Sequence, residues 1–261
     1  PRNTPPEQGR RRAAFAGEFG HCVGRTLRCE RERKIMGDSI FSRILSYTSA
    51  ACDARMAGAM IPVMSNSGSG NQGLTASMPV IEYARHLGAD EEKLYRAPRA
   101  VQPVRHPPED RHRPLSAYCG AISAGVGAGA GICYLLGGDY DAVAHTVVNA
   151  VAILSGTICD GAKPSCAAKI AAAVDAGIMG YRMYLHHREF RHGEGIVGSN
   201  VDDTIARSAC WRSRACGRRT ARSSISCRIA AAERPRSFKN RFPVRHNLDI
   251  SGGYTTSTAR S

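Results

Sequence analysis

The stretch Ser65-Asn66-Ser67-Gly68-Ser69-Gly70-Asn71-Gln72-Gly73 is the most unusual local feature of the sequence. Its glycines allow positive φ, which lets successive backbone N–H groups turn toward one point and bind an anion. Asn66, Asn71 and Gln72 add neutral donors, and a helix after the loop would offer its positive N-terminal end. Such a nest suits the carboxylate of a small substrate. Ser65, Asn66, Ser67, Gly68, Ser69, Gly70, Asn71 and Gln72 are therefore candidate substrate-binding residues. A flexible linker has the same composition. No Gly-Lys-Ser/Thr follows, so it is not a nucleotide-phosphate loop of the Walker type.

Cys119, Cys159 and Cys166 form the second feature. Cys159 and Cys166 bracket Asp160-Gly161-Ala162-Lys163-Pro164-Ser165, a turn between two helical patterns. A helix N-terminus beside Lys163 favours thiolate over thiol. Three thiolates suffice for a cubane iron–sulfur cluster with one iron left open. The spacing is not the C-x-x-C of zinc or ferredoxin sites, and from spacing alone buried Cys acting as a small apolar residue is the preferred reading. Asp53 and Arg55, two residues apart, read either as a functional pair or as solvated surface. His145 on an apolar helix reads as a core histidine, and His186, His187 and His192 as a solvated helix end. No Ser/His/Asp or H-E-x-x-H arrangement is present, and no catalytic base is assigned.

The elements that must carry these residues are helical. Asp38 caps a helix with Ile40, Phe41, Ile44 and Leu45 on one face. The Gly/Ser/Asn loop follows; Ser77, with Pro79 just inside, then starts a helix that Gly88 ends. Asp90 caps the next, with Glu91 and Glu92 in its first turn. Leu115–Leu136 reads as a small-residue helix, Asp141–Ile158 as a second, and Pro164 opens an Ala-rich third to about His187. No segment alternates with period two, so the fold class is mainly α.

Net charge is +14, yet segments 1–34, 97–114 and 207–261 carry +5, +2 and +11, and the remaining 154 residues carry −4. Those three segments hold 24 of the 31 Arg, mixed with Pro, Ser, His and Cys in irregular order, and are expected to be irregular or disordered. A basic arm for nucleic acid is one reading; out-of-frame translation of GC-rich DNA yields the same vocabulary and is preferred. The uncharged run Leu115–Gly138 is too rich in Gly, Ala and Ser for lipid, and no secretory signal is visible. A cytoplasmic chain with no membrane segment is expected.

The stretch CDARMAGAMIPVMSNSGSGNQGLTASMPV, with LSAYCGA, SGTICDGAKPSCAAK and GEGIVGSNVDDTI in that order, resembles the serine dehydratase-like α-subunit family, and within it the L-cysteine desulfidase branch of UPF0597 type. The resemblance covers Met36–Arg96 and Leu115–Ala206. It implies a helical catalytic domain over 35–206, interrupted at 97–114, between a non-homologous basic segment (1–34) and an Arg-rich tail (207–261). It also implies a [4Fe–4S] lyase without pyridoxal phosphate that eliminates sulfide from L-cysteine, or water from L-serine. Cys119, Cys159 and Cys166 would be cluster ligands, and Ser65–Gln72 the carboxylate site. A small amino acid is the implied partner, nucleic acid is not favoured, and a homo-oligomer is possible. The branch's amino-terminal Gly-Cys-Thr-Glu-Pro motif is not in this sequence. Five prolines stand in residues 98–114, where the family has a helix.

Overall fold

Where a helix is rich in glycine, a second backbone can reach it, and that is how this structure is assembled. The computed structural model describes residues 14–66, 68–90, 92–93, 96–97, 119–159 and 161–220, with 211–220 as backbone only. Ser67, the proline-rich segment 98–114 and the tail beyond 220 lie outside the described residues. Pro1–Arg218 make one compact unit; of the second, Arg219–Ser261, only the first two residues are described.

Seven helices of ten or more residues are present among the described residues: α1 (Val23–Glu32), α2 (Ile40–Met56), α3 (Gly70–Leu87), α4 (Gly120–Leu135), α5 (Tyr140–Ile153), α6 (Cys166–Leu185) and α7 (Val201–Thr220). No strand occurs among them, only an isolated bridge between Asn66 and Ser69. Helix α6 is the hub, packing on α4, α5 and α2. Ile44, Val80, Ile132, Ile170 and Val174 are wholly buried around it. Each such side chain contributes roughly 1.5–3 kcal/mol by leaving water.

Helix α4 is buried on nearly every side. A methyl group at Gly125 would collide with the Ala173 carbonyl, and one at Gly129 with that of Gly177. The same offset of 48 residues at both contacts shows that α4 and α6 run parallel and in step. Among the described residues no helix is long and apolar enough to cross a membrane.

Several boundaries differ from expectation. Ser39, not Asp38, caps α2, in a reciprocal box with Ser42. Helix α3 begins at Gly70, capped by Ser69, well before Ser77. Its first turns are buried, and tertiary packing outweighs the poor helix propensity of glycine. Gly88, at φ 63, ends it as expected. Asp139 caps α5 through the Ala142 amide at 2.9 Å. Helix α5 stops at Ile153, because the chain turns at Leu154 to bring Thr157 under Cys119.

The basic N-terminal segment, expected to be irregular, contains α1. Arg and Glu are good helix formers, and Arg28 pairs with Glu32 one turn on at 2.7 Å. Two buried polar groups of α2 dock it: Asp53 Oδ2 accepts from the Gly24 amide at 2.9 Å, and Ser46 donates to the Gly24 carbonyl at 2.9 Å. Helix α7 likewise runs past residue 206 to Thr220, started by Asn200, whose side chain accepts from the Asp203 amide at 2.8 Å.

Candidate functional site

The parallel register of α4 and α6 decides where the cysteines meet. Cys119 is the N-cap residue of α4 and Cys166 the first residue of α6. An offset of 48 residues carries Cys119 to the level of Ala167, beside Cys166. Both thiols are buried in the central core. Cys159 is exposed, on the loop between α5 and α6, and that loop is tied to the pair because the Cys119 amide donates to the Thr157 carbonyl at 2.8 Å. The three expected cysteines are therefore neighbours, and negative charge on Cys159 or Cys166 acts on Cys119.

Burial nevertheless dominates the chemistry of Cys119. It pushes the thiol up; the Ala121 amide and Lys169 pull it down, and the neighbouring thiols push it further up. The helix N-terminus alone does not make this residue a thiolate. Among the described residues no three His, Cys, Asp or Glu side chains converge tightly enough to hold one metal ion. A cubane is held at separate iron corners, so its thiols need not meet at one point. The donor set, two buried thiols at two helix N-termini and one exposed thiol on the adjoining loop, is of the right chemistry for such a cluster.

The loop reaches this place through Gln72. Its side-chain amide occupies the space where a side chain at Gly120 would stand, immediately after Cys119. Gly68 takes φ 77, and Asn66 and Ser69 exchange backbone hydrogen bonds of 3.1 and 2.9 Å, so the loop is a tight turn and not a linker. Ser69 caps α3, accepting from the Gln72 amide at 3.4 Å. The N-terminal ends of α3 and α4 meet where Gln72 lies on Gly120, and that of α6 lies beside α4, a concentration of positive partial charge that favours an anion.

The structure assigns different work to individual loop residues. Asn71 is buried, and its amide is spent inside the protein: Oδ1 accepts from Arg55 Nη1 at 2.8 Å and from Cys52 Sγ at 3.6 Å, while Nδ2 lies 3.6 Å from Met56 Sδ. Sequence reasoning did not single out Cys52 as a site residue. It is wholly buried; burial, with the charges of Cys166 and Asp53, pushes its thiol up to about 12, so it stays protonated and donates to Asn71. A usable signal was present: Cys52, Arg55 and Met56 are spaced i, i+3, i+4 and so share one helix face. Asp53 and Arg55 are not a pair. Asp53 turns to α1 and Arg55 to the loop.

His145 is not a core histidine. Its Nδ1 lies 2.6 Å from Glu189 Oε2, and its ring stacks on Tyr184 at 5.6 Å. The two side chains edge a separate cleft of about 390 Å³ with Asp141 and Arg191, near the far end of α6 from Cys166. Buried Asn149 fixes the loop beside it, through the Phe190 amide at 3.0 Å and the Gly180 and Arg188 carbonyls, both at 3.2 Å.

A family described as the serine dehydratase alpha chain matches residues 10–216, a range that includes 97–114. The chain is 54% identical over 195 residues to a UPF0597 protein of Desulfitobacterium hafniense (strain Y51), covering 75% of this chain and 44% of that protein. It is 51% identical over 193 residues to a UPF0597 protein of Bacteroides fragilis (strain YCH46), covering 74% and 45%. A UPF0597 protein of Finegoldia magna is 45% identical over 191 residues, covering 73% and 44%. The chain thus spans somewhat under half the length of the curated relatives it matches. No solved structure matches it.

Proposed function

From the premise that this chain belongs to the serine dehydratase alpha chain family, we propose that it carries the cysteine and carboxylate sites of an iron–sulfur-dependent lyase acting on L-cysteine. L-Serine is the alternative substrate. The observation that supports this most is the meeting of Cys119, Cys166 and the Gln72 end of the loop where α3, α4 and α6 begin. Cys119, Cys159 and Cys166 would hold a [4Fe–4S] cluster, which when bound supplies an open iron as Lewis acid toward the leaving thiol or hydroxyl.

The chain's own residues do the positioning. The amides that open α3, within Ser65–Gln72, would bind the substrate carboxylate, and Gln72 would set its distance from Cys119. Elimination removes the α-proton and the β-substituent, giving 2-aminoacrylate and, from cysteine, sulfide. Hydrolysis of aminoacrylate then gives pyruvate and ammonia, so atoms balance without pyridoxal phosphate. The soft sulfur leaving group of cysteine matches iron better than the hydroxyl of serine.

The test is anaerobic incubation with iron and sulfide, read first as visible cluster absorbance and bound iron, then as pyruvate and sulfide from L-cysteine against pyruvate from L-serine. Loading that falls sharply in C119S and C166S is expected. Absence of bound iron–sulfide in the wild-type chain, or loading indifferent to all three cysteines, overturns the reading. Faster turnover of serine reassigns the substrate.

A further inference from the structure

Arg55 lies directly on the described part of the loop, at a helix start where positive charge is disfavoured. Its Nε occupies the space over Gly70 that any side chain there would fill, and its Nη1 donates to Asn71 at 2.8 Å. A guanidinium therefore rests on the first turn of α3, the positive end of an eighteen-residue helix, where cations are disfavoured. Among the described residues no carboxylate pairs with it. Asp53, two residues earlier, is committed to α1. With Nη1 engaged, Nε and Nη2 keep donors for a planar, bidentate acceptor.

We infer that Arg55 is the charge-bearing residue of the carboxylate site, taking one face of a substrate carboxylate while the first amides of α3 take the other. This rests on the carboxylate reading of the loop and adds a residue outside it. Glycine at position 70 is then a requirement of recognition as well as of packing, because it lets the guanidinium lie flat on the helix start. Cys52 and Met56 serve the same end indirectly by fixing the Asn71 amide that orients Arg55.

The test is NMR titration of the full chain with propionate, following the amides of Gly70, Asn71 and Gln72, with propionamide as the uncharged control. Wild-type amides should shift with propionate and not with propionamide. Affinity should fall at least tenfold in R55Q and only a few-fold in R55K, which keeps the charge but loses the fork. N71A separates recognition from positioning: R55Q placed in that background should still lose affinity. If R55Q loses nothing there, Arg55 acts only through Asn71 and the inference fails; it fails equally if R55Q alone binds as wild type. Wild-type amides that ignore propionate sink the carboxylate reading of the loop itself. Should R55Q not fold, G70A tests the same point, since its methyl group displaces the guanidinium and should weaken propionate binding.

Discussion

Helices α4 and α6 and helices α2 and α3 are both buried pairs, but they are held in opposite ways. The α4–α6 crossing is a contact of shape: Gly125, Gly129, Ala173 and Gly177 bring two backbones together, with no side chain long enough to adjust. The α2–α3 joint is a contact of direction: Cys52, Arg55 and Met56 all point at Asn71, and Ser69 closes the turn. The first tolerates no added volume at its crossing glycines; the second depends in addition on each donor and acceptor, and a methyl group at Gly70 would displace Arg55. The rigid crossing sets where Cys119 and Cys166 stand, and the directional joint sets where the loop stands relative to them.

The comparison is broken most severely at Gly129. G129V forces a branched side chain against the Gly177 backbone, which has no rotamer to yield, and should cost on the order of 3 kcal/mol or more, measured by denaturant unfolding. Next comes N71A, which strips Arg55 and Cys52 of their shared acceptor; a loss of about 2 kcal/mol is expected, with the α4–α6 crossing intact. A result near zero would mean that water replaces the amide and that the joint is not directional.

A third prediction concerns pH. Burial raises the Asp53 carboxyl above its ordinary value, although the Gly24 and Val23 amides lower it. The folded state thus holds this proton more tightly than the unfolded chain. The associated stability is present below the unfolded carboxyl value and is lost as pH rises through the folded one. The stability of wild type relative to D53N should therefore decline as pH rises from about 4. A difference that is flat with pH would remove Asp53 as the titrating dock of α1. The smallest effect is expected for S69A, about 0.5–1 kcal/mol, because its capping bond is long at 3.4 Å.

Much of this fold was readable in advance. Glycine and alanine in α4 predict a helix that others approach closely, and Gly88 marks the end of α3. The loop glycines allow the positive φ that Gly68 takes. The start of α3 was hidden because Gly70-Asn71-Gln72-Gly73 has poor helix propensity, and only its burial makes it helical. Helix α1 was hidden because its docking group, Asp53, stands 29 residues away. His145 looked like a core residue because its neighbours on α5 are apolar, and Glu189, its partner, lies beyond the next helix.

The amino-acid sequence alone determined that the chain is helical, that one Gly/Ser/Asn loop is free to take positive φ, and that Cys159 and Cys166 flank the turn before a helix start. Those properties are local, fixed by backbone freedom, propensity and capping within a few residues. Tertiary structure decided which polar side chains are spent within the protein. It buried Cys52 and Asn71 against each other, turned Asp53 away, and laid Arg55 on Gly70. The reason is physical: hydrogen bonds and burial depend on register between distant helices, and the α4–α6 crossing sets that register through backbone contact.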